Sequence, residues 1–186
     1  MRDIKLFYLV LGATLLGKHT EQHDALFCFG RELAELVPVA ENHWETSAEV
    51  HLDGWREVTN VNGYKISVVE KGKAEKNGLD LFFINLGGYK TDSFSEHHCQ
   101  QLVVAPTIAE AVKIAKQNMF CQEYTVNENS RCHVDNKYGI DVEVSAEVLD
   151  ILLPEDKARY SLSITPAENL AEDKLHVGYF PLDKFK

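Results

Sequence analysis

Leu6-Phe7-Tyr8-Leu9-Val10-Leu11-Gly12 opens the chain, and Leu81-Phe82-Phe83-Ile84-Asn85-Leu86-Gly87 repeats its pattern 75 positions later. Each run is short, apolar and rich in β-formers, and each stops at glycine, which reads as a buried strand. Without a gap, the same offset aligns residues 5–37 with 80–112, bringing Glu21, His23, Ala34, Glu35 and Val37 onto identical partners. Beyond it the offset grows to 82, where His51-Leu52-Asp53 aligns with His133-Val134-Asp135. An internal repeat of this kind organises the rest of the reading. It also excludes a signal peptide at Leu6 to Gly17, because a segment used twice in one fold is structure and not an address.

Each repeat is expected to follow its opening strand with a loop of about a dozen residues and a second apolar run, Leu26-Phe27-Cys28-Phe29 or Leu102-Val103-Val104, before a helix. In the second repeat Thr107 and Glu110 make a capping box, and Ile108, Ala111, Val112, Ala115 and Met119 keep helical spacing. The first repeat matches with Leu33, Leu36, Val37, Ala40 and Trp44, but Pro38 should kink or split that helix. Next, Trp55 to Val61 and Tyr64 to Val69 flank Asn62-Gly63, a type I′ hairpin signal. The second repeat should carry a strand near Ile140 to Val144, a helix from Ala146 to Leu152 stopped by Pro154, and a strand over Tyr160 to Thr165.

The expected fold class is therefore α+β, an internal duplication of a β-β-α-β-β unit in a pseudo-twofold arrangement, with mostly antiparallel sheet covered by helices on one face. Residues 1–78 form repeat unit one, 79–165 repeat unit two, and 166–186 a C-terminal tail whose stretch from Leu175 to Leu182 adds an edge strand.

Composition bounds the function. The chain has 186 residues, 45% of them apolar, enough to bury a core without disulfide or metal support. A formal charge of −10 repels phosphate backbones and anionic lipid, which argues against nucleic acid and membrane as partners. Cys28, Cys99, Cys121 and Cys132 form no C-x-x-C pair, so reduced structural thiols and a cytoplasmic location are the expectation. No phosphate-binding glycine loop and no nucleophile elbow is present.

His19-Thr20-Glu21-Gln22-His23-Asp24, His51-Leu52-Asp53-Gly54-Trp55-Arg56-Glu57-Val58, Asn62-Gly63-Tyr64-Lys65-Ile66, Phe83-Ile84-Asn85-Leu86-Gly87-Gly88-Tyr89 and His133-Val134-Asp135-Asn136-Lys137-Tyr138-Gly139 resemble a bacterial domain-of-unknown-function family, number 1543. The resemblance implies one or two copies of a domain, in keeping with the repeat, and carries no activity.

Function therefore rests on the polar residues that recur. Glu21 and His23 answer to Glu96 and His98, and His51 and Asp53 to His133 and Asp135. Residues two apart in an extended segment face one side, so each His-x-Asp pair should project together. These eight are the candidate ligand-binding residues. The same set, with His19 and His97, offers nitrogen and oxygen ligands for a divalent metal, the one cofactor class suggested, or an acid–base pair oriented by carboxylates. Their spacing is not that of H-E-x-x-H. The plainer reading, that they tie down a long loop through backbone N–H bonds, carries more weight on sequence alone. A different class, a protein-interaction or homodimerisation module, is also open.

Overall fold

The computed structural model describes residues 3–44, 48–117, 119–134, 148–149 and 151–186. In chain order the elements are β1 (Lys5–Ala13), β2 (Gln22–Gly30), α1 (Val37–Glu41), β3 (Val50–Glu57), β4 (Asn60–Val61), β5 (Tyr64–Glu70), β6 (Asp80–Tyr89), β7 (Glu96–Ala105), α2 (Ile108–Ala115), α3 (Met119–Glu123), β8 (His133–Val134), α4 (Pro154–Arg159), β9 (Tyr160–Pro166) and β10 (His176–Pro181). This is a mixed α+β fold whose strand pairs are antiparallel. Residues 1–74 and 152–186 form one compact unit, and 75–151 form another. None of the described helices is long and apolar enough to cross a membrane.

The first unit holds a four-stranded sheet, β10-β3-β1-β2, and a three-stranded one, β4-β5-β9. Its centre is β1, an apolar run buried on both sides. Phe7, Leu9, Leu11 and Ala13 alternate toward a core shared with Leu26, Cys28 and Leu52, over which Leu36, Val37 and Ala40 pack. On the other side Tyr8 stacks on Phe27 at 4.7 Å, and Phe29 meets Tyr160 of β9 edge-on. The second unit pairs β7-β6-β8 around Phe82, Ile84 and Leu86, covered by Ala111 and Ala115 of α2.

Several sequence expectations are reshaped by long-range pairing. The loop after the first strand is shorter than expected, because β1 runs to Ala13 and β2 begins at Gln22. Pro38 lies in the first turn of α1, directly after a 3-10 turn at Leu33–Leu36; there its missing N–H costs nothing. Asn62 and Gly63, at φ 54° and 79°, form the expected tight turn, but the strand before it divides. Trp55 to Glu57 stay with β1, and only Asn60–Val61 pair with β5, whose other neighbour is β9.

Thr107 caps α2 by accepting from the Glu110 backbone N–H, and the helical pattern breaks before Met119. The expected strand over 140–144 and residues 146, 147 and 150 of the expected helix lie outside the described residues; of that helix Val148, Leu149 and Ile151 are in turns. Pro154, expected as a stop, starts α4 instead. The stretch beyond Leu175 does supply an edge strand, β10 beside β3.

The cysteine expectation is corrected in part. Cys121 of α3 and Cys132 form a disulfide, with Cα atoms 5.1 Å apart. Thr125 brings them together: its hydroxyl donates to the Cys121 carbonyl and accepts from the Cys132 N–H. Eleven residues of separation carry no motif that local sequence reading can see.

Cys28 remains a free thiol in the first core. Burial, and secondarily the Asp156 carboxylate, pushes it up from 9.0 to about 12. Between these values the unfolded chain has released a proton that the folded chain still holds. Stability should therefore fall as pH rises from 9.0 toward about 12, by up to about 1.4 kcal/mol per pH unit. Urea unfolding at mildly and strongly alkaline pH checks this, since Cys28→Ala should lack that part of the decline.

Candidate functional site

The site begins with a missing side chain. Gly12 lies in β1 opposite His23 of β2 on one side and His51 of β3 on the other. Directly paired residues project from the same face of a sheet, so glycine leaves the space between the two imidazoles open. A Cβ at Gly12 would lie 2.5 Å from His51 Nε2 and 2.7 Å from Asp53 Oδ2. Glycine is required here by close approach; its backbone is ordinary.

Asp53 reaches this point through a bulge. Val10 pairs with Gly54 and Leu11 with Leu52, so Asp53 is an extra residue on β3 with no partner on β1. Leu52 and Trp55 turn to the core while His51 and Asp53 share the opposite side. Bulges of this kind re-aim side chains, often beside functional sites.

Four groups converge. His51 Nε2 lies 3.1 Å from Glu21 Oε1 and 3.3 Å from Asp53 Oδ1. His23 Nε2 lies 3.4 Å from Glu21 Oε2 and 3.1 Å from Asp53 Oδ2. Each carboxylate thus turns one oxygen to each imidazole, closing a ring. The His51 side chain, 6% exposed, forms the floor, and that of His23, 51% exposed, the rim. These are ion-pair separations without aligned hydrogen bonds: His51 Nε2 and Asp53 Oδ2 are both buried and lack a hydrogen-bond partner.

The second unit repeats part of this. Gly87 lies opposite His98 of β7 and His133 of β8, and His133 Nε2 is 3.1 Å from Glu96 Oε1. A Cβ at Gly87 would lie 2.8 Å from Glu96 Oε1 and 2.9 Å from His133 Nε2. The floor is more open here, with the His133 side chain 45% exposed. Asp135 lies outside the described residues. His97 is engaged by the Ser93 and Ser95 hydroxyls at 2.9 and 3.3 Å, and His19 sits exposed in the β1–β2 loop. Neither joins a cluster. Among the described residues no group of three or more His, Cys, Asp or Glu is arranged to hold a metal ion.

One participant escaped the sequence reading. Tyr179 of β10 lies over His51, ring centroids 4.2 Å apart and planes tilted by 34°. Its only local sign was Gly178 beside it, at φ 141°. Two other histidines are accounted for structurally: His176 stacks on Trp55 at 3.8 Å, and His43 contacts Asp24 at 2.9 Å.

An α+β fold with a glycine-centred histidine–carboxylate cluster is thus the class defined by the geometry. Residues 18–68 match the family model described as Domain of Unknown Function (DUF1543), a segment that contains Glu21, His23, His51 and Asp53. In fold the chain is similar to the crystal structure of protein Il1583 from Idiomarina loihiensis, with a TM-score of 0.57 at 21% identity, covering 97% of this chain and 98% of that one. No curated protein matches the sequence.

Placing a methyl group in the space above Gly12 tests the packing directly. Gly12→Ala should displace His51 and Asp53 and lower stability by about 1–3 kcal/mol, the range for overpacking, measured by urea unfolding. An unchanged midpoint would mean that the imidazole has room to move.

Proposed function

We propose that the chain binds a small polar ligand through Glu21, His23, His51 and Asp53. The observation that carries this reading is the pair of buried, unsatisfied atoms, His51 Nε2 and Asp53 Oδ2, inside a half-open ring of imidazoles and carboxylates. Buried polar atoms are satisfied in the large majority of cases, and an exception asks for a partner. The side-chain contacts of Glu21 and Asp53 run to imidazoles and not to backbone N–H groups, which favours this reading over loop-tying.

The second unit is read as another copy of the same domain with a companion site. The shared register about Gly12 and Gly87, and the equal 3.1 Å contacts His51–Glu21 and His133–Glu96, support this. His98, opposite Gly87 in register, and Asp135, by its place in the sequence repeat, complete the proposed second site.

A divalent metal is a second reading. Separations of 3.1–3.4 Å between donors match the edges of a polyhedron with bonds of about 2.0–2.2 Å. The donors would first have to rearrange, since they are not set as a metal site now.

Histidine C2–H resonances provide the test, titrated with manganese and zinc chloride, methylguanidinium and propylammonium. Saturable shifts at His23 and His51 are expected with at least one probe, and their loss in the Glu21→Gln/Asp53→Asn double variant. If no probe moves either resonance, the cluster is a structural tie and the interaction-module reading gains.

A further inference from the structure

We infer that the ligand of the first site is a small organic cation, an ammonium or guanidinium group held by the Glu21 and Asp53 carboxylates and walled on its outer side by Tyr179. The inference rests on the ligand-binding reading above and names the ligand's class and one further residue that recognises it.

The strand geometry around Asp53 is the first support. On the β1 side β3 carries Asp53 as an extra residue; on the β10 side the pairing jumps from Val177↔Gly54 to Phe180↔Leu52. Gly178 and Tyr179 therefore stand opposite the single residue Asp53. Two irregularities on either side of one carboxylate aim Asp53 inward and bring the Tyr179 ring over His51. Gly178 permits the second of these, since φ 141° is a conformation that other residues rarely adopt.

Exposure is the second. Tyr179 remains 65% exposed although its ring lies against His51, so one side contacts the cluster and much of the rest is free. An exposed aromatic ring packed against a residue of an acidic site can take part in recognising ammonium and guanidinium groups, which are attracted to the ring at up to about 6 Å from its centroid. His51 bridges the distances: its ring centre is 4.2 Å from that of Tyr179, and its Nε2 is 3.1 and 3.3 Å from the carboxylates.

Charge is the third. No lysine or arginine pairs with Glu21 or Asp53 among the described residues, and their contacts are to imidazoles alone. Two carboxylates without a fixed cation attract one from solution, and a guanidinium fork can engage carboxylate oxygens pairwise. The unpartnered His51 Nε2, on a side chain more than nine-tenths buried, marks the inner end of the space.

Calorimetric titration of the full chain with methylguanidinium chloride is the test, with neutral N-methylurea as isostere and manganese chloride as competitor. Methylguanidinium should bind and N-methylurea should not. Tyr179→Ala should weaken binding about 3- to 30-fold, the cation–π range, and Tyr179→Phe, which keeps the ring, should stay within about twofold of the wild type. Tyr179 lies on an exposed edge strand, so both variants should fold, as amide spectra will verify. If Glu21→Gln/Asp53→Asn abolishes binding but Tyr179→Ala leaves it unchanged, the site reading survives and this inference is overturned. Binding of N-methylurea equal to that of methylguanidinium, or binding of manganese alone, overturns it equally. Binding of none of the three overturns both.

Discussion

The space above Gly12 is the constraint on which the functional face of the first unit depends. β1 is the most deeply buried strand, and every other position along its centre carries a side chain that fills core on one side or the other. At Gly12 that filling stops, and the neighbours opposite it on β2 and β3 are both histidines. The His51 ring and the Asp53 carboxylate occupy the vacancy instead of the glycine's own side chain. This brings an imidazole nitrogen of His51 against backbone in the interior of a sheet, where polar neighbours are needed. Glu21 and Asp53 are those neighbours, and they arrive by different routes, one from the end of a loop and one from a bulge. The same vacancy at Gly87 is filled by Glu96 and His133.

Much of this was legible in the sequence because it is local or because it recurs. The apolar runs ending in Gly12 and Gly87 became the central strands β1 and β6; Asn62-Gly63 became a tight turn, and Thr107 a helix cap. The Glu-x-His and His-x-Asp spacings drew attention to residues that the first unit does bring together. What could not be read depends on pairing between distant segments. A bulge has no composition of its own, so Asp53 was paired with His51 by plain strand alternation and not by the bulge that places it, and Tyr179 looked like one aromatic in a C-terminal stretch. Strand lengths were underestimated for the same reason: Gln22, His23 and Asp24 are polar, but pairing with β1 extends β2 through them. The Cys121–Cys132 link likewise depends on the fold of the segment between them, organised by one threonine hydroxyl.

In the first unit His51 lies on β3, with neighbours on both sides, β1 and β10. In the second, His133 opens β8 directly after Cys132, so the covalent attachment to α3 lies one residue away from the imidazole.

The first unit is also built from two separated stretches, 1–74 and 152–186, with the whole second unit encoded between them. A chain emerging from the ribosome makes β1, β2 and β3 before the second unit, and β9 and β10 only after it. Domains generally fold as units during synthesis. The contiguous second unit can therefore be completed while the first still lacks two strands. Over that interval β3 presents an unpaired edge and His51 has no ring above it. Closure of the first unit, and with it the placing of the Tyr179 ring over His51, then follows completion of the second.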